Sequence, residues 1–174
     1  RISLDLPTVI IGERINPTGR SWLTKQLTEG NLEILKDEAT QQLEDGADML
    51  DVNVGAASVN EVELLPRAIE IIQNTVGVPL CIDTADNDAL EAALQVYQGK
   101  PLINSVNGEE KNLTRVLPLV AEYGAAVIGL TMDDDGIPKN PEKRLEIATK
   151  IVERAESMGI PREDVLIDCL ALTV

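Results

Sequence analysis

Histidine is absent from all 174 residues, phenylalanine is absent too, and one Trp and two Tyr are the only aromatic side chains. Without histidine, this chain cannot itself build a histidine triad, a His-x-x-x-His zinc site or a histidine ligand to cobalt or haem iron. With three aromatics it has little to stack on bases. Positive charge is scarce: 15 Lys and Arg stand against 30 Asp and Glu, a formal net charge of −15. Nucleic acid is therefore not expected as a partner, because phosphate binding needs clustered cations. Acidic helix faces account for the excess. Only Cys81 and Cys169 are present, both inside apolar runs, and both read as buried free thiols. No apolar stretch approaches the roughly 20 residues that span a bilayer. The opening RISLDLPTVIIGER has a short apolar stretch and no small-residue cleavage site, so no signal peptide is expected. The expected setting is cytoplasmic, with no membrane partner.

What is present is an alternation. The chain is 44% hydrophobic, enough for a core, and residues 1–174 read as a single domain. Apolar runs rich in Val, Ile and Leu fall at 8–12, 48–54, 79–83, 101–106, 125–131 and 165–170. Between them, apolar residues recur at helical spacing over 31–45, 60–76, 86–97, 110–123 and 141–158. In the last of these the apolar face is read as Leu145, Ala148, Val152 and Ala155. Gly46, Gly77, Gly99, Gly124 and Gly159 stand where those helices should stop. Asn140 followed by Pro141 reads as a helix cap and a first-turn proline. Asn60 and Asp86 read as caps as well, and Pro66 is awkward unless its helix begins nearby.

Repeated βα units with continuous apolar strands fit an α/β fold, either an open doubly wound sheet or a (β/α)8 TIM barrel. The first strand leads into GERINPTGRS, which is neither G-x-G-x-x-G nor a P-loop. Polar residues instead close strand after strand, as at the top of a barrel. The expected fold is therefore a (β/α)8 barrel that stops after the sixth of its eight strands.

The polar residues are Glu13 and Asn16, Asp51 and Asn53, Asp83, Asn104 and Asn107, Thr131, and Asp168. Positions i and i+2 of a strand share a face, so Asp51 and Asn53 point the same way. Inward carboxylates are costly unless donors meet them, and apart from Arg14 no cation stands at these strand ends. The missing donors can belong to a ligand. A neutral heterocycle with adjacent N–H groups suits a carboxylate, and an Asn offers one donor and one acceptor. No lysine lies within a strand or at its C-terminal end, which disfavours a Schiff-base aldolase. A magnesium site built from carboxylates alone fits less well than the heterocycle. Asn107 reads equally as a turn residue or a ligand. Asp133–Asp134–Asp135–Gly136 reads as a solvated turn, since the calcium-loop spacing is not met.

Taken in order, VIIGERINPTG, GADMLDVNVG, CIDT, INSVNGEE, AAVIGLTMDDDGIPK and LIDCLALTV resemble the methyltetrahydrofolate:corrinoid-protein methyltransferases. These pterin-binding barrels are related to the folate domain of cobalamin-dependent methionine synthase and, more distantly, to dihydropteroate synthase. The ending DCLALTV, with Cys169 where acetogen-type enzymes have Pro, resembles the branch that serves methylamine and betaine corrinoid proteins. The resemblance implies that Asp83, Asn104 and Asp168 hold the pterin, that Asp51 and Asn53 belong to the same site, and that Glu13 and Asn16 stand at its rim. The family's catalytic Asn follows a seventh strand that this chain does not contain, so no catalytic residue is assigned and the isolated chain is expected to be inactive.

The implied reaction moves a methyl group between N5 of methyltetrahydrofolate and the cobalt of a corrinoid. With no histidine to ligate cobalt, the corrinoid is expected on a separate protein. The resemblance also implies a homodimer at full length. Two alternatives stand beside this reading: a dihydropteroate synthase-like enzyme, and a fragment that at most binds pterin.

Overall fold

A computed structural model describes residues 2, 5–57 and 59–171. The chain divides into two compact units, Arg1–Pro101 and Leu102–Val174.

The first unit holds three parallel strands, β1 (Ile11–Ile15), β2 (Met49–Val52) and β3 (Leu80–Asp83), with helices α1 (Ser21–Thr28), α2 (Ile34–Glu44), α3 (Glu61–Thr75) and α4 (Asn87–Val96). β2 is the central strand. It pairs with β1 at Ile11–Met49 and Gly12–Leu50, and with β3 at Leu50–Leu80, Asp51–Cys81 and Val52–Ile82. All four β2 residues are buried, Asp51 among them, as befits a strand covered on both faces. The helices bury one face each: Leu64, Leu65, Ala68, Ile69 and Ile72 on α3, and Ala89, Leu90, Ala93 and Leu94 on α4.

β1 lies three residues later than its apolar run suggests, so Glu13 falls within the strand. Within it the register with β2 shifts at a bulge between Gly12 and Ile15. A bulge frees a backbone amide, and Gln42 of α2 serves it: its Oε1 accepts from Arg14 N at 2.8 Å. Gln42 is only 3% exposed. Position 12 must be glycine for this contact, because a Cβ there would come within 2.6 Å of that same oxygen.

The second unit holds β4 (Leu102–Val106), β5 (Ala126–Leu130) and β6 (Val165–Asp168), again all parallel, with α5 (Glu110–Tyr123), α6 (Pro141–Ser157) and a 3-10 turn at Arg162–Asp164. Asn140 caps α6 by accepting from Lys143 N, with Pro141 behind it. Asp86 caps α4 in the first unit by accepting from Asp88 N and Ala89 N. Asn60 takes the cap position of α3 without a side-chain bond. Gly46, Gly99, Gly124 and Gly159 have positive φ at helix ends, whereas Gly77 does not. Pro66 sits in the second turn of α3 and Pro118 deep in α5.

Two expectations fail here. The buried face of α6 is Ile147, Ile151 and Ala155, and Leu145 is 69% exposed. Four-residue spacing from Leu145 runs through Thr149 and Glu153, so that stripe cannot be the apolar one, while Ile147, Ile151 and Ala155 continue unbroken. Cys169 is exposed, unlike Cys81, because β6 ends at Asp168 and the next residues leave the sheet. No helix among the described residues is long and apolar enough to cross a membrane.

Candidate functional site

In the first unit, the C-terminal ends of β2 and β3 are joined by two side-chain rungs on one face. The lower rung is Asp51 with Cys81, residues that are also register partners. The Cys81 thiol faces the Asp51 carboxylate across the register, and that carboxylate is 3% exposed. Burial pushes the Cys81 thiol well above its usual range, and the carboxylates of Asp51, Asp83 and Glu13 push it further. This thiol stays protonated. The upper rung lies two residues further along both chains: Asn53 Nδ2 donates to Asp83 Oδ2 at 2.9 Å. Asn53 Oδ1 in turn accepts from Gly55 N at 2.8 Å. Beside this rung, Thr84 Oγ1 donates to Glu61 Oε2 at 2.7 Å and accepts from Asp86 N, so the loop after β3 is fastened to the start of α3.

Asp83 is half-buried, and its Oδ1 takes no hydrogen bond among the described residues. Glu13 is exposed on β1 but close enough to bear on the Cys81 thiol. Asn16 is engaged locally: its Oδ1 accepts from Thr18 N at 2.9 Å, closing a turn. The first unit therefore brings Glu13, Asp51, Asn53 and Asp83 around neighbouring strand ends and keeps Asn16 in a turn beside them. A cavity of about 390 Å³ in the same unit is lined by Gln73, Asn74, Tyr97 and Lys100. It opens at the N-terminal end of β3, and none of the strand-end carboxylates lines it.

In the second unit, Asn104 is half-buried on β4 and faces Ile128 in register. Asp168 ends β6 opposite Leu130 and is exposed. Its carbonyl accepts from Thr131 N and Thr131 Oγ1, both at 3.1 Å. Its carboxylate Oδ1 accepts from Leu170 N at 2.7 Å, within its own turn. Arg144 on α6 holds that turn from outside, donating through Nη1 to the carbonyls of Cys169 and Leu170 and through Nε to that of Pro138. Asn107 closes the turn after β4, accepting from Glu109 N at 3.0 Å. Asp133 and Gly136 pair across a tight turn, and no cluster of three metal-ligating side chains occurs among the described residues.

Sequence reasoning missed Gln42, Glu61, Thr84 and Arg144. Only Gln42 carries a signal in hindsight, as a polar residue on the apolar stripe of α2.

The pterin-binding enzyme family matches residues 12–173, nearly the whole chain. The chain belongs to that family. Among its relatives, the methylcorrinoid:tetrahydrofolate methyltransferase of Eubacterium limosum is 33% identical over 162 residues, covering 92% of this chain and 59% of that protein. The methionine synthase of Mycobacterium tuberculosis is 30% identical over 176 residues, covering 98% of this chain and 15% of that protein. Among solved structures, dihydropteroate synthase from Xanthomonas albilineans, in complex with 7,8-dihydropteroate, aligns with a TM-score of 0.66 at 27% identity. It covers 96% of this chain and 60% of that one. The Yersinia pestis enzyme aligns with a TM-score of 0.70 at 21% identity, with the same coverage. The fold class of this pterin-binding chain is thus α/β, of the (β/α)8-barrel type, with six strands among the described residues. The chain spans about three-fifths of the length of the methyltransferase and of the dihydropteroate synthases, and 15% of that of the methionine synthase.

Proposed function

We propose that this chain binds the pterin ring of a tetrahydrofolate and takes part in methyl transfer between its N5 and the cobalt of a corrinoid held by a separate protein. The observation that carries the reading is Asp83. In a pterin-binding family member, its carboxylate stands at the end of β3 with one oxygen held by Asn53 and the other open. An ionised carboxylate only accepts hydrogen bonds. The amino-pyrimidinone edge of a pterin offers adjacent N–H donors, so the two are complementary. In this reading Asp83, Asn104 and Asp168 contact the ring, with Asp51 and Asn53 belonging to the same site and Glu13 and Asn16 at its rim.

The name of the Eubacterium relative supports tetrahydrofolate and a corrinoid as the two methyl carriers. A methyl group on N5 leaves only when N5 gains a proton or a strong hydrogen bond, since the electron pair of the broken C–N bond stays on nitrogen. The corrinoid supplies the cobalt nucleophile that takes the methyl. This chain's own contribution is to hold the ring in one orientation and keep its polar edge satisfied.

A second reading, dihydropteroate synthase chemistry, draws on the likeness to those solved structures. One experiment separates the two. The protein that contains this chain is supplied with methyltetrahydrofolate and a separately purified, reduced corrinoid protein. In parallel it is given a dihydropterin pyrophosphate with p-aminobenzoate. We expect methyl transfer in the first reaction and no pteroate in the second. Pteroate without methyl transfer would replace the proposal by its rival.

A further inference from the structure

The two hydrogen bonds of the Asn53 side chain determine each other. Its Oδ1 accepts from Gly55 N at 2.8 Å, and its Nδ2 donates to Asp83 Oδ2 at 2.9 Å. Rotating the amide by half a turn would set its NH2 against the Gly55 N–H and its oxygen against the Asp83 carboxylate. Both contacts would then be repulsive, so the orientation follows from the partners. Space is equally restricted. A Cβ on residue 55 would lie 3.2 Å from Asn53 Oδ1 and 3.1 Å from Glu61 Oε1, so glycine is what lets the backbone N–H reach the amide. Glu61 is itself held by Thr84, next to Asp83 in the chain.

We propose that Asn53 is a positioning residue, whose amide, aimed by Gly55, fixes the Asp83 carboxylate and presents its open oxygen to the ligand. The inference rests on the pterin-binding reading for what the ligand is, but the lock itself exists without one. A carboxylate on a strand end otherwise turns about its side-chain torsions, and a ligand would have to order it on binding. The lock removes that ordering cost beforehand. Asn53 thus stands behind Asp83 and does not touch the pterin.

The test combines a double-mutant cycle with a ligand-free measurement. Tetrahydrofolate affinity is measured by calorimetry for the wild type, Asn53→Ala, Asp83→Ala and the double variant. We expect Asn53→Ala to weaken binding about three- to tenfold, and to have no further effect once Asp83 is alanine. An equal loss in both backgrounds would make Asn53 a direct ligand and overturn the proposal. Independently, the Asn53 side-chain amide is followed by NMR without ligand. Its Nδ2 protons should be shifted and slow to exchange in the wild type, and should move to solvent-exposed values in Asp83→Ala. Protons that are solvent-like in the wild type would overturn the lock. If no tetrahydrofolate binds to the wild type, the pterin reading fails, and the amide signal still decides whether the lock exists.

Discussion

The strand ends of the two units resemble each other in sequence, each an apolar run closing on Asp or Asn, yet they are held in different ways. In the first unit, side chains from adjacent strands meet each other: Cys81 faces Asp51 in register, and Asn53 bonds to Asp83. In the second unit, Asp168 bonds to its own turn, and that turn is tied down by Arg144 through backbone carbonyls alone. The strands β2 and β6 differ in burial as well. β2 is wholly buried, while β6 runs from half-buried to exposed, with Ile167 40% exposed. Asp51 in the first unit is thus part of the packing, whereas Asp168 in the second is a surface group in a turn, free to serve a ligand at little cost to stability.

The strongest way to break this contrast is to truncate the cores. Leu50→Ala on β2 removes a fully buried side chain and should cost about 2–5 kcal/mol. Ile167→Ala on β6 should cost less than about 1 kcal/mol. Denaturant melts of both variants measure the difference, and equal losses would mean that β6 is as well packed as β2.

The next largest effect concerns the lower rung. Cys81→Val removes the polar group that faces an almost fully buried carboxylate, and should cost about 1–3 kcal/mol in the same assay. A neutral substitution would show that the thiol only fills space.

The raised ionisation of Cys81 sharpens the point. Its thiol stays neutral in the folded state while in the unfolded chain it ionises near its ordinary value of 9.0. Above that pH the unfolded state binds fewer protons than the folded one, so stability falls as pH rises, by up to about 1.4 kcal/mol per pH unit. Below it the group contributes no slope. Cys81→Ser keeps a donor but does not titrate there, so melts between about pH 8 and 10.5 should separate wild type from variant only at the alkaline end. The two thiols should also differ in reactivity: a maleimide should modify exposed Cys169 in the folded protein and reach Cys81 only after unfolding.

The smallest effect is expected at Asp168. Asp168→Ala loses one exposed turn contact and should change stability by no more than about 0.5 kcal/mol.

Much of this was legible beforehand, for physical reasons that differ by element. The parallel strands declared themselves because a strand buried on both faces must be mostly apolar, as 49–52 and 80–83 are apart from Asp51 and Asp83. Helix ends were legible where a single residue decides them, as at Asn140 with Pro141 or Gly124 with its φ of 62°. The eight-residue α1 was missed because it buries only Leu23 and Leu27, too few points to establish a period. The bulge in β1 was not legible because Gln42, which serves it, lies 28 residues distant from Arg14. Leu145 was misplaced because an apolar residue on a helix does not say which of two stripes faces inward. In the site, residue types and strand ends were readable, and their bonding was not. Whether an Asp at a strand end meets a neighbour, as Asp83 does, or its own turn, as Asp168 does, depends on the side chain across the gap.

The central claim is that these strand-end carboxylates serve a pterin, and Asp83→Asn tests it most directly. The variant keeps the shape, and its carbonyl still accepts from Asn53. It replaces the open acceptor oxygen by an NH2 that faces the ligand's own donors. Calorimetric titration with methyltetrahydrofolate, beside a thermal melt, should show affinity reduced ten- to a hundredfold, about 1.5–3 kcal/mol, with the melting temperature nearly unchanged. Unaltered affinity in Asp83→Asn, and again in Asp168→Asn, would contradict the pterin site and the function proposed on it.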